Sequence, residues 1–457
     1  MSTDGASRLE RFALKGMHLG KMTGVSVGTH AVPDAFLLMH TGVGCKYKAA
    51  AQVANHDWGA HPNRREAWTQ VAELQLIKGS SERIGPFARS WYERRRPAFM
   101  ICVSAYFIEL TGEDFSDAVT AASKTLPCDM ALITTAAPNK GFFDGYASVM
   151  LAVASQQDWS VPATRPRSAS VSGFFFHRYE PDQAADLKAL STLVEMAGVD
   201  CGPVLFSGRP YAELSSASEH ELAVMLPYTA PKTRKFKKLF RKRTRVEVDL
   251  PMGIGGTSRF VRSVAEAAGT DLEQVEHALA QAREDAEAQL RNVGDRFRNL
   301  EVAVFADTPL AAGLVSILHE MGISTPLVGL RDHKGCLGGK VAFWSTVENN
   351  GIRDLGDCEV RVSPSLHWVR EACQDRMRSG RLHGIIGSSH ELALFMHQPR
   401  SAALMMNVFL IEAGFPSDNQ HAAAPSPHLG FEGATAWAQR ILNGVRTPRL
   451  GGESRPG

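Results

Sequence analysis

The sequence predicts an α/β protein with several Rossmann-like domains, in which parallel sheets are flanked by helices. Two observations support this prediction. The recurring unit along the chain is a short apolar strand, a turn of small residues and an amphipathic helix, the pattern of parallel α/β layers. The chain has 457 residues, more than a single hydrophobic core usually holds, so two or three domains are expected.

The strand–helix units follow one another in two blocks. The first block comprises 35–45, 98–119 with a helix starting near residue 112, 130–154 with a turn at 138–141, and 172–199, followed by a short strand at 203–208. The second comprises 299–323 and 383–396. Parallel strands end at one edge of their sheet, where ligand sites lie.

The blocks suggest four parts of the chain. We expect an N-terminal α/β domain in 1–170, a middle α/β domain with a linker helix in 171–298, a C-terminal Rossmann-like domain in 299–445 and a disordered tail in 446–457. The linker helix is predicted in the charged segment 282–298.

Composition is that of a soluble globular protein, with 44% hydrophobic and 21% charged residues. The formal net charge of +2 gives no general reason to expect nucleic acid or membrane as a partner. No apolar run reaches the roughly 18 residues that span a bilayer, and the N-terminus lacks the layout of a signal peptide. The expected location is the cytoplasm.

The basic stretch 231–245 contains nine Lys or Arg residues. It could bind an anionic partner, or it could form a helix whose apolar stripe packs while the cationic side chains stay in water. We favour the packed helix, because nothing else resembles nucleic-acid recognition. The chain also lacks G-x-G-x-x-G and G-x-x-x-x-G-K-S/T, so neither dinucleotide nor ATP binding is expected.

Seven cysteines are scattered along the chain without a C-x-x-C pair, which argues against a disulfide framework. A self-contained zinc or iron–sulfur site needs clustered ligands. Any metal cluster would therefore be shared with another polypeptide. Cys45 follows an apolar strand ending in His40, and Gly42 and Gly44 leave room for a close approach of another chain. From the residues alone, a buried structural thiol is the preferred interpretation of Cys45, and a ligand role is the alternative.

Six segments between residues 31 and 444 form an ordered set of motifs. They read PDAFLLMHTGVGCKYKAAAQ, EAWTQVAELQLIKGSSERI, FMICVSAYFIELTGEDFSDAV, ITTAAPNKGFFDGY, LAVMLPYTAPKTRKFKKLF with VEVDLPMGIGGTSRFVRSVAEAAG, and VFLIEAGFPSDNQHAAAPSPHLGFEGATAWAQRILN. This set resembles component 1 of the nitrogenase superfamily, and within it the β-type subunits.

The resemblance implies a cofactor and partners. Cys45 would be a thiolate ligand of an iron–sulfur cluster at the interface with an α-type subunit, in an α2β2 assembly, with His40, Gly44 and Tyr106 beside the cluster. A separate ATP-dependent iron protein would donate electrons. The substrate or cofactor site would lie mainly in the partner, which could also hold a larger metallocluster.

The chain departs from the nitrogenase β subunit, which carries three cluster cysteines. Here Tyr106 stands at the last ligand position, and the segment HPNRREA near the middle position has no cysteine. Cys102 lies inside an apolar strand and is expected in the core. The pattern resembles the relatives in which a partner supplies three ligands and this chain one, to a 4Fe-4S cluster.

Other polar residues have simpler expected roles. His40 could donate to a cluster sulfur or cap its strand. Glu109 and Asp114 are expected at a helix N-terminus, where carboxylates meet the dipole favourably. The remaining candidates are His56, Asp57, His61 and Trp68, expected on a solvated loop, and Ser388, Ser389 and His390, which lack the acid and the G-x-S-x-G elbow of a hydrolase.

Three functions are compatible with these features. The preferred one is a β-type subunit of a nitrogenase-like two-component oxidoreductase. The alternatives are a scaffold subunit for assembly of a nitrogenase-type metallocluster, and a cluster-free interaction protein. The catalytic residues and the substrate, whether dinitrogen, a tetrapyrrole, a sulfur compound or another molecule, are not identified by the sequence.

Overall fold

The described part of the chain forms three parallel sheets flanked by helices. The computed structural model describes residues 19–57, 65–135, 141–297, 299–396 and 408–445. Every strand pair in the three sheets is parallel. The expected α/β architecture of Rossmann-like units is therefore confirmed, whereas the domain boundaries given above remain predictions.

The first sheet has the strand order β2-β1-β3-β4. Its strands are β1 Ala35–His40, β2 Glu66–Trp68, β3 Phe99–Ser104 and β4 Asp129–Ile133. The two central strands, β1 and β3, pair along their whole length, and all their residues are buried. Side chains on both faces of these strands enter apolar cores, which explains their continuous rather than alternating hydrophobic pattern.

Seven helices in the described part of the chain accompany the first sheet. They are α1 Lys21–His30, α2 Val43–His56, α3 Glu73–Lys78, α4 Ile84–Arg95, α5 Tyr106–Glu109, α6 Ser116–Thr125 and α7 Phe142–Ala154. Helix α2 begins three residues after β1, so Cys45 belongs to a first helical turn rather than to a loop. The short helix α5 was not anticipated, and α6 begins at Ser116, slightly later than expected.

Helices α1 and α7 cross with their backbones in direct contact. A Cβ atom on Gly24 would overlap the carbonyl oxygen of Phe142, and one on Gly145 would overlap that of Lys21. Only glycine allows this approach. The contact ties the N-terminal helix to the helix that follows β4.

The second sheet has the order β6-β5-β7-β8. Its strands are β5 Arg165–Ser172, β6 Asp200–Val204, β7 His220–Met225 and β8 Thr244–Glu247, and its helices are α8 Pro181–Met196, α9 Tyr211–Leu214, α10 Thr233–Leu239 and α11 Gly253–Ala268. The sequence predicted the strand before α8 at the start of 172–199, whereas the strand itself ends at Ser172.

The aromatic run Phe174–Phe176 is therefore not a strand, and its surroundings explain why. Gly173 takes a positive φ of 88°, which ends β5. The hydroxyl of Tyr146 then contacts the carbonyl oxygens of Phe174 and Phe176 at 3.1 and 3.2 Å and accepts from the Phe176 amide at 2.8 Å. These hydrogen bonds satisfy backbone groups that a strand would pair with its neighbour. The three phenyl rings enter the core.

The basic stretch 231–245 contains helix α10, and its apolar residues pack inward. Phe236 and Phe240 are fully buried, and the Phe240 ring lies 4.4 Å from that of Trp159. The cationic residues Lys235 and Lys238 are exposed. The apolar side chains of this stretch therefore pack as predicted, while these two lysines stay exposed.

The third sheet has the order β11-β10-β9-β12-β13. Its strands are β9 Val302–Ala306, β10 Leu327–Leu330, β11 Glu359–Val362, β12 Gly384–Gly387 and β13 Phe409–Glu412, and the helices of this part are α12 Leu272–Gly294, α13 Thr308–Glu320, α14 Gly339–Asn349, α15 Leu366–Arg378, α16 Ser389–Met396 and α17 Gly430–Gly444. The units predicted in 299–323 and 383–396 are confirmed. Helix α12 starts ten residues before the predicted linker helix and packs on α11 and α17.

The three sheet units meet around the C-terminal end of α2. His56 is fully buried there; its Nδ1 accepts from the Ser417 amide at 2.7 Å, so its Nε2 carries the proton that is shared with His177 Nδ1 at 2.6 Å. Asp57 accepts from the Tyr179 amide at 3.0 Å. The expectation of a solvated loop is wrong for these residues, because they join separate parts of the chain.

Trp68 also departs from that expectation, since it lies in strand β2 and is half-buried. His61 falls outside the described residues. The search for helices that are long and apolar enough to span a bilayer found none in the described part of the chain.

Candidate functional site

The four residues that the resemblance assigns to a cluster site come together at the carboxyl edge of the first sheet. His40 ends β1, and Ser104, its register partner, ends β3. Gly44 and Cys45 lie in the first turn of α2, and Tyr106 is the first residue of α5. Because parallel strands finish at the same edge, residues that are far apart in sequence become neighbours here.

The backbone around Cys45 is open and rich in donors. Gly42 caps α2, so the first-turn amides that precede and include Cys45 have no partner within the helix. Gly44 is exposed, and a Cβ atom there would meet no atom within 4 Å. Only the backbone of Cys45 belongs to the described part of the chain.

His40 is buried and held on both sides. Its Nε2 lies 2.9 Å from Ser80 Oγ and its Nδ1 lies 2.9 Å from Thr69 Oγ1. Ser80 Oγ donates to Glu113, so it must accept from His40 Nε2–H, and Thr69 then donates to Nδ1. Burial lowers the pKa of His40 to about 4, so the ring is neutral at physiological pH.

Glu113 completes this hydrogen-bonded chain. Its carboxylate accepts from the Ser80 amide at 3.0 and 2.9 Å, from the Ser80 hydroxyl at 2.9 Å and from the Ser81 amide at 2.7 Å. Partial burial raises the pKa of Glu113, but the hydrogen bonds from Ser81 and Ser80 together outweigh it and hold the pKa below its usual value. Thr69, His40, Ser80 and Glu113 thus form a relay leading from the strand end toward the surface.

Glu109 and Asp114 differ in role. The Asp114 carboxylate accepts from the Ser116 amide at 2.8 Å at the start of α6, as expected for a helix N-terminus. Glu109 instead ends helix α5, so its expected position is wrong. It accepts from the Ser104 hydroxyl and the Thr135 amide, and thereby links the ends of β3 and β4.

Two buried polar atoms at this edge have no hydrogen-bond partner among the described residues. They are Thr41 Oγ1, directly after His40, and Glu109 Oε2. Buried polar atoms are seldom left unpaired in native proteins. Both atoms are therefore available to a hydrogen-bonding group outside the described residues.

An exposed apolar border surrounds the same edge. Leu74 and Ile77 on α3 are 55% and 83% exposed. Tyr106, Phe107 and Leu110, in and just after α5, are also exposed. A Cβ atom on Gly42 would lie 3.3 Å from the Val71 carbonyl oxygen and 3.9 Å from the Phe107 ring, so Gly42 separates the two apolar segments. We call these five exposed residues the apolar border.

Comparison with known proteins identifies the family of this chain. The family of nitrogenase component 1 type oxidoreductases matches residues 21–446. The chain belongs to this family. Among curated proteins, one of the subunits of the light-independent protochlorophyllide reductase of Rhodopseudomonas palustris (strain TIE-1) is 23% identical over 401 residues, covering 83% of this chain and 68% of that protein.

Solved nitrogenase structures share the fold of this component 1 chain. The structure titled "Nitrogenase Cp1 at pH 6.5" has a TM-score of 0.76 at 14% identity, over 93% of this chain and 92% of the other. The structure titled "Nitrogenase Cp1 at pH 5" has a TM-score of 0.68 at 11% identity, over 94% and 89%. At these identities, the likeness supports the fold alone.

The residues at this edge are compatible with one corner of an iron–sulfur cluster. Cys45 would supply the thiolate, the open space at Gly44 would admit the cluster, and the unpaired Thr41 hydroxyl is a donor suited to sulfur. Within the described ranges, no group of three or more His, Cys, Asp or Glu side chains is arranged to hold a metal ion. A full ligand set would thus need groups from outside this part of the chain.

The remaining candidates are structural. Cys102 is fully buried in β3, where burial raises its thiol pKa to about 12, so its expected core position is confirmed. Ser388 donates to Glu391 at 2.6 Å and Ser389 donates to Glu412 at 2.9 Å. The backbone amide of His390 donates to Ser388 Oγ at 3.2 Å.

Proposed function

We propose that this chain is the β-type subunit of a nitrogenase-like two-component oxidoreductase. Cys45 would ligate an intersubunit 4Fe-4S cluster completed by an α-type partner. When bound, that cluster supplies one-electron transfer between an ATP-dependent iron protein and a substrate or cofactor site shared with the partner.

The observation that carries this proposal is the open carboxyl edge of the first sheet. The open space at Gly44, the unpaired Thr41 hydroxyl and the apolar border lie around the start of helix α2. A partner surface seated there would cover exposed apolar area and exclude water from the edge. Membership of an oxidoreductase family, and similarity to a protein named as one subunit of a reductase, support the same interpretation.

The chain's own residues have defined tasks in this proposal. Glycines 42 and 44 give access, and the amides of the first turn of α2 stabilise a negative thiolate at Cys45. The neutral ring of His40 fixes the end of β1 through Thr69 and Ser80. Tyr106 stands in the apolar border, where it would contact the partner or the cluster.

The proposal is tested by anaerobic co-purification with the α-type partner, comparing wild type with Cys45→Ala. We expect about four iron atoms per αβ pair and a reduced-cluster EPR signal in the wild type, with most of both lost in the variant. Cys128→Ala is the matched control, because Cys128 precedes β4 at the opposite edge of the same sheet. Unchanged iron and EPR in Cys45→Ala would show a structural thiol.

The same co-purified complex distinguishes the reductase function from the scaffold alternative. A reductase complex consumes electrons from the iron protein in the presence of ATP and reduces its substrate. A scaffold complex holds a metallocluster that can be transferred to an acceptor protein and shows no turnover. Stable assembly without any cluster would instead support an interaction protein.

A further inference from the structure

The third sheet carries a cavity that is separate from the Cys45 edge. From β9 the chain adds β10 and β11 on one side of the sheet, and it then adds β12 and β13 on the other side of β9. The strand order therefore reverses between β9 and β12. A cavity of about 570 Å³ opens where these strands end, lined by Asp307 after β9, Arg331 after β10 and Ala413 after β13. Open parallel sheets bind ligands at such reversal points, and the volume is that of a small-molecule site.

One wall of the cavity is aromatic. Phe142 and Phe415 stack with ring centroids 4.9 Å apart and planes 18° from parallel. Phe143 stands perpendicular to Phe142 at 5.0 Å. All three rings line the cavity. Such a wall favours a flat ring, because aromatic surfaces gain from stacked and edge contacts.

Asp307 presents one unused acceptor. The residue is 5% exposed, and its Oδ1 accepts from the Tyr228 hydroxyl at 2.8 Å and from the Leu310 amide at 3.2 Å. Its Oδ2 receives no hydrogen bond from any described residue. Burial raises the pKa of Asp307 to about 6, so the carboxylate is mostly ionised at neutral pH and accepts hydrogen bonds.

Arg331 presents one unused donor beside it. Its Nε lies 3.2 Å from Glu391 Oε1, and its Nη1 donates to the Phe415 carbonyl oxygen at 2.7 Å. Within the described ranges Nη2 has no partner. The Arg331 amide also donates to the Ala306 carbonyl at 2.7 Å, which holds Arg331 next to the end of β9, where Asp307 follows.

The charges next to Asp307 disfavour an anionic group at that position. Glu391 pairs with Arg331, so the Asp307 carboxylate leaves a negative charge there, while His333, His367 and His390 line the same cavity. A neutral group with an N–H next to a carbonyl would satisfy both open atoms. The N–H would donate to Asp307 Oδ2, and the carbonyl would accept from Arg331 Nη2.

From these observations we infer that the cavity binds a neutral, flat heteroaromatic ring with a lactam edge, that is, a ring N–H next to a ring carbonyl. Pteridine-dione, alloxazine and purinone rings carry this edge. The ring lies along the wall formed by Phe142, Phe143 and Phe415. This binding site is additional to the proposed cluster site and does not depend on it.

The test is titration of the full chain with the fluorescent pteridine-dione lumazine at neutral pH. An analogue in which both ring N–H groups are methylated keeps the ring and its carbonyls but loses the donors. We expect this analogue to bind at least about 10-fold more weakly, because it leaves the buried Asp307 Oδ2 unpaired. Tighter binding of lumichrome than of lumazine would indicate an alloxazine-type ring.

The protein counterpart is Asp307→Asn, which keeps an oxygen for Tyr228 and Leu310 and turns the open acceptor into a donor. We expect lumazine to bind at least about 10-fold more weakly to this variant. Asp249→Asn is the control, since Asp249 accepts from Thr346 and lines a different cavity, beside β8.

Three results would overturn the inference: no lumazine binding up to about 1 mM, equal binding of lumazine and its methylated analogue, or wild-type affinity in a folded Asp307→Asn. Circular dichroism checks the fold of each variant. If Asp307→Asn does not fold, the comparison of the two ligands on the wild-type chain decides. Loss of the cluster in Cys45→Ala would leave this result unaffected.

Discussion

His40 shows how burial converts a titratable residue into a structural one. Its ring is enclosed between two hydroxyls and packs edge-on to Phe115 at 4.7 Å. Both nitrogens are used within the chain, so the ring orients the end of β1. A cluster sulfur could reach this ring only if one of the two hydrogen bonds changed, and the role of His40 toward a cluster stays a prediction.

His40 also makes stability depend on pH in a calculable direction. Burial lowers the pKa of His40 to about 4, whereas an unfolded histidine titrates near 6.5. Between these values the unfolded chain binds a proton that the folded chain does not. The free energy of unfolding therefore falls as pH drops from 6.5 toward 4, by about 1.4 kcal/mol per pH unit from this residue.

The variant His40→Gln keeps hydrogen-bonding capacity but cannot titrate. We expect its free energy of unfolding to fall less steeply with pH than that of the wild type, by about 1.4 kcal/mol per pH unit in this window. Urea unfolding at a series of pH values measures both slopes. Other groups titrate in both proteins, so equal slopes would mean that His40 is protonated in the folded state at higher pH.

At the scale of elements, continuous apolar runs were the reliable signal. They identified β1, β3, β9 and β12, because strands covered on both faces need apolar side chains at every position. Strand β5, with the sequence RPRSASVS, lacks that signal. The strand was therefore predicted in the neighbouring aromatic run instead. Its pairing is decided by β6 and β7, which lie far along the chain.

Helix α1 illustrates the opposite case. Its sequence KMTGVSVGTH contains two glycines and several β-branched residues, which are poor helix formers, yet most of the helix is buried. Contact with α7 through Gly24 supplies the stability that local preference does not. Single-sequence patterns cannot report such a contact, because it depends on a partner more than a hundred residues away.

Gly24→Ala should lower the free energy of unfolding by about 3 kcal/mol, because a methyl group would force two helix backbones apart. Gly85→Ala is the matched control in helix α4, where a Cβ atom meets nothing within 4 Å. We expect it to be neutral or to stabilise by up to about 1 kcal/mol. Chemical denaturation measures both, and a tolerated Gly24→Ala would show that α1 and α7 are not tightly packed.

At the scale of the whole molecule, the family resemblance of the sequence and the alignment of the strands in the structure each account for different residues of the candidate site. Motifs shared with a family predicted Cys45, His40, Gly44 and Tyr106 as residues of a cluster site, and the fold brings them to one edge. Ser80 and Glu113 were missed as partners of His40, because they approach it only after β1 and β3 align. The cavity of the third sheet was missed for the same reason, since its lining comes from distant segments.

The apolar border predicts how the chain assembles. Leu74→Glu and Ile77→Glu should each weaken association with the α-type partner at least about 10-fold, because a buried unpaired charge is unfavourable in an interface. Val341→Glu is the control, as Val341 is 81% exposed on α14, in the third sheet's unit. Sedimentation velocity of the mixed subunits gives the affinities, and equal effects of all three substitutions would exclude the border as the interface.

The crossing of α1 and α7 also limits how this sequence can diverge. A clash between two side chains can be relieved by a second mutation that shortens the neighbour. At Gly24 the obstructing atom is the carbonyl oxygen of Phe142, which every amino acid would carry at that position. No substitution at residue 142 can therefore compensate for a larger residue at 24, and the reciprocal limit holds for Gly145 against Lys21. Neither glycine can be replaced by a larger residue unless the two helices themselves move apart.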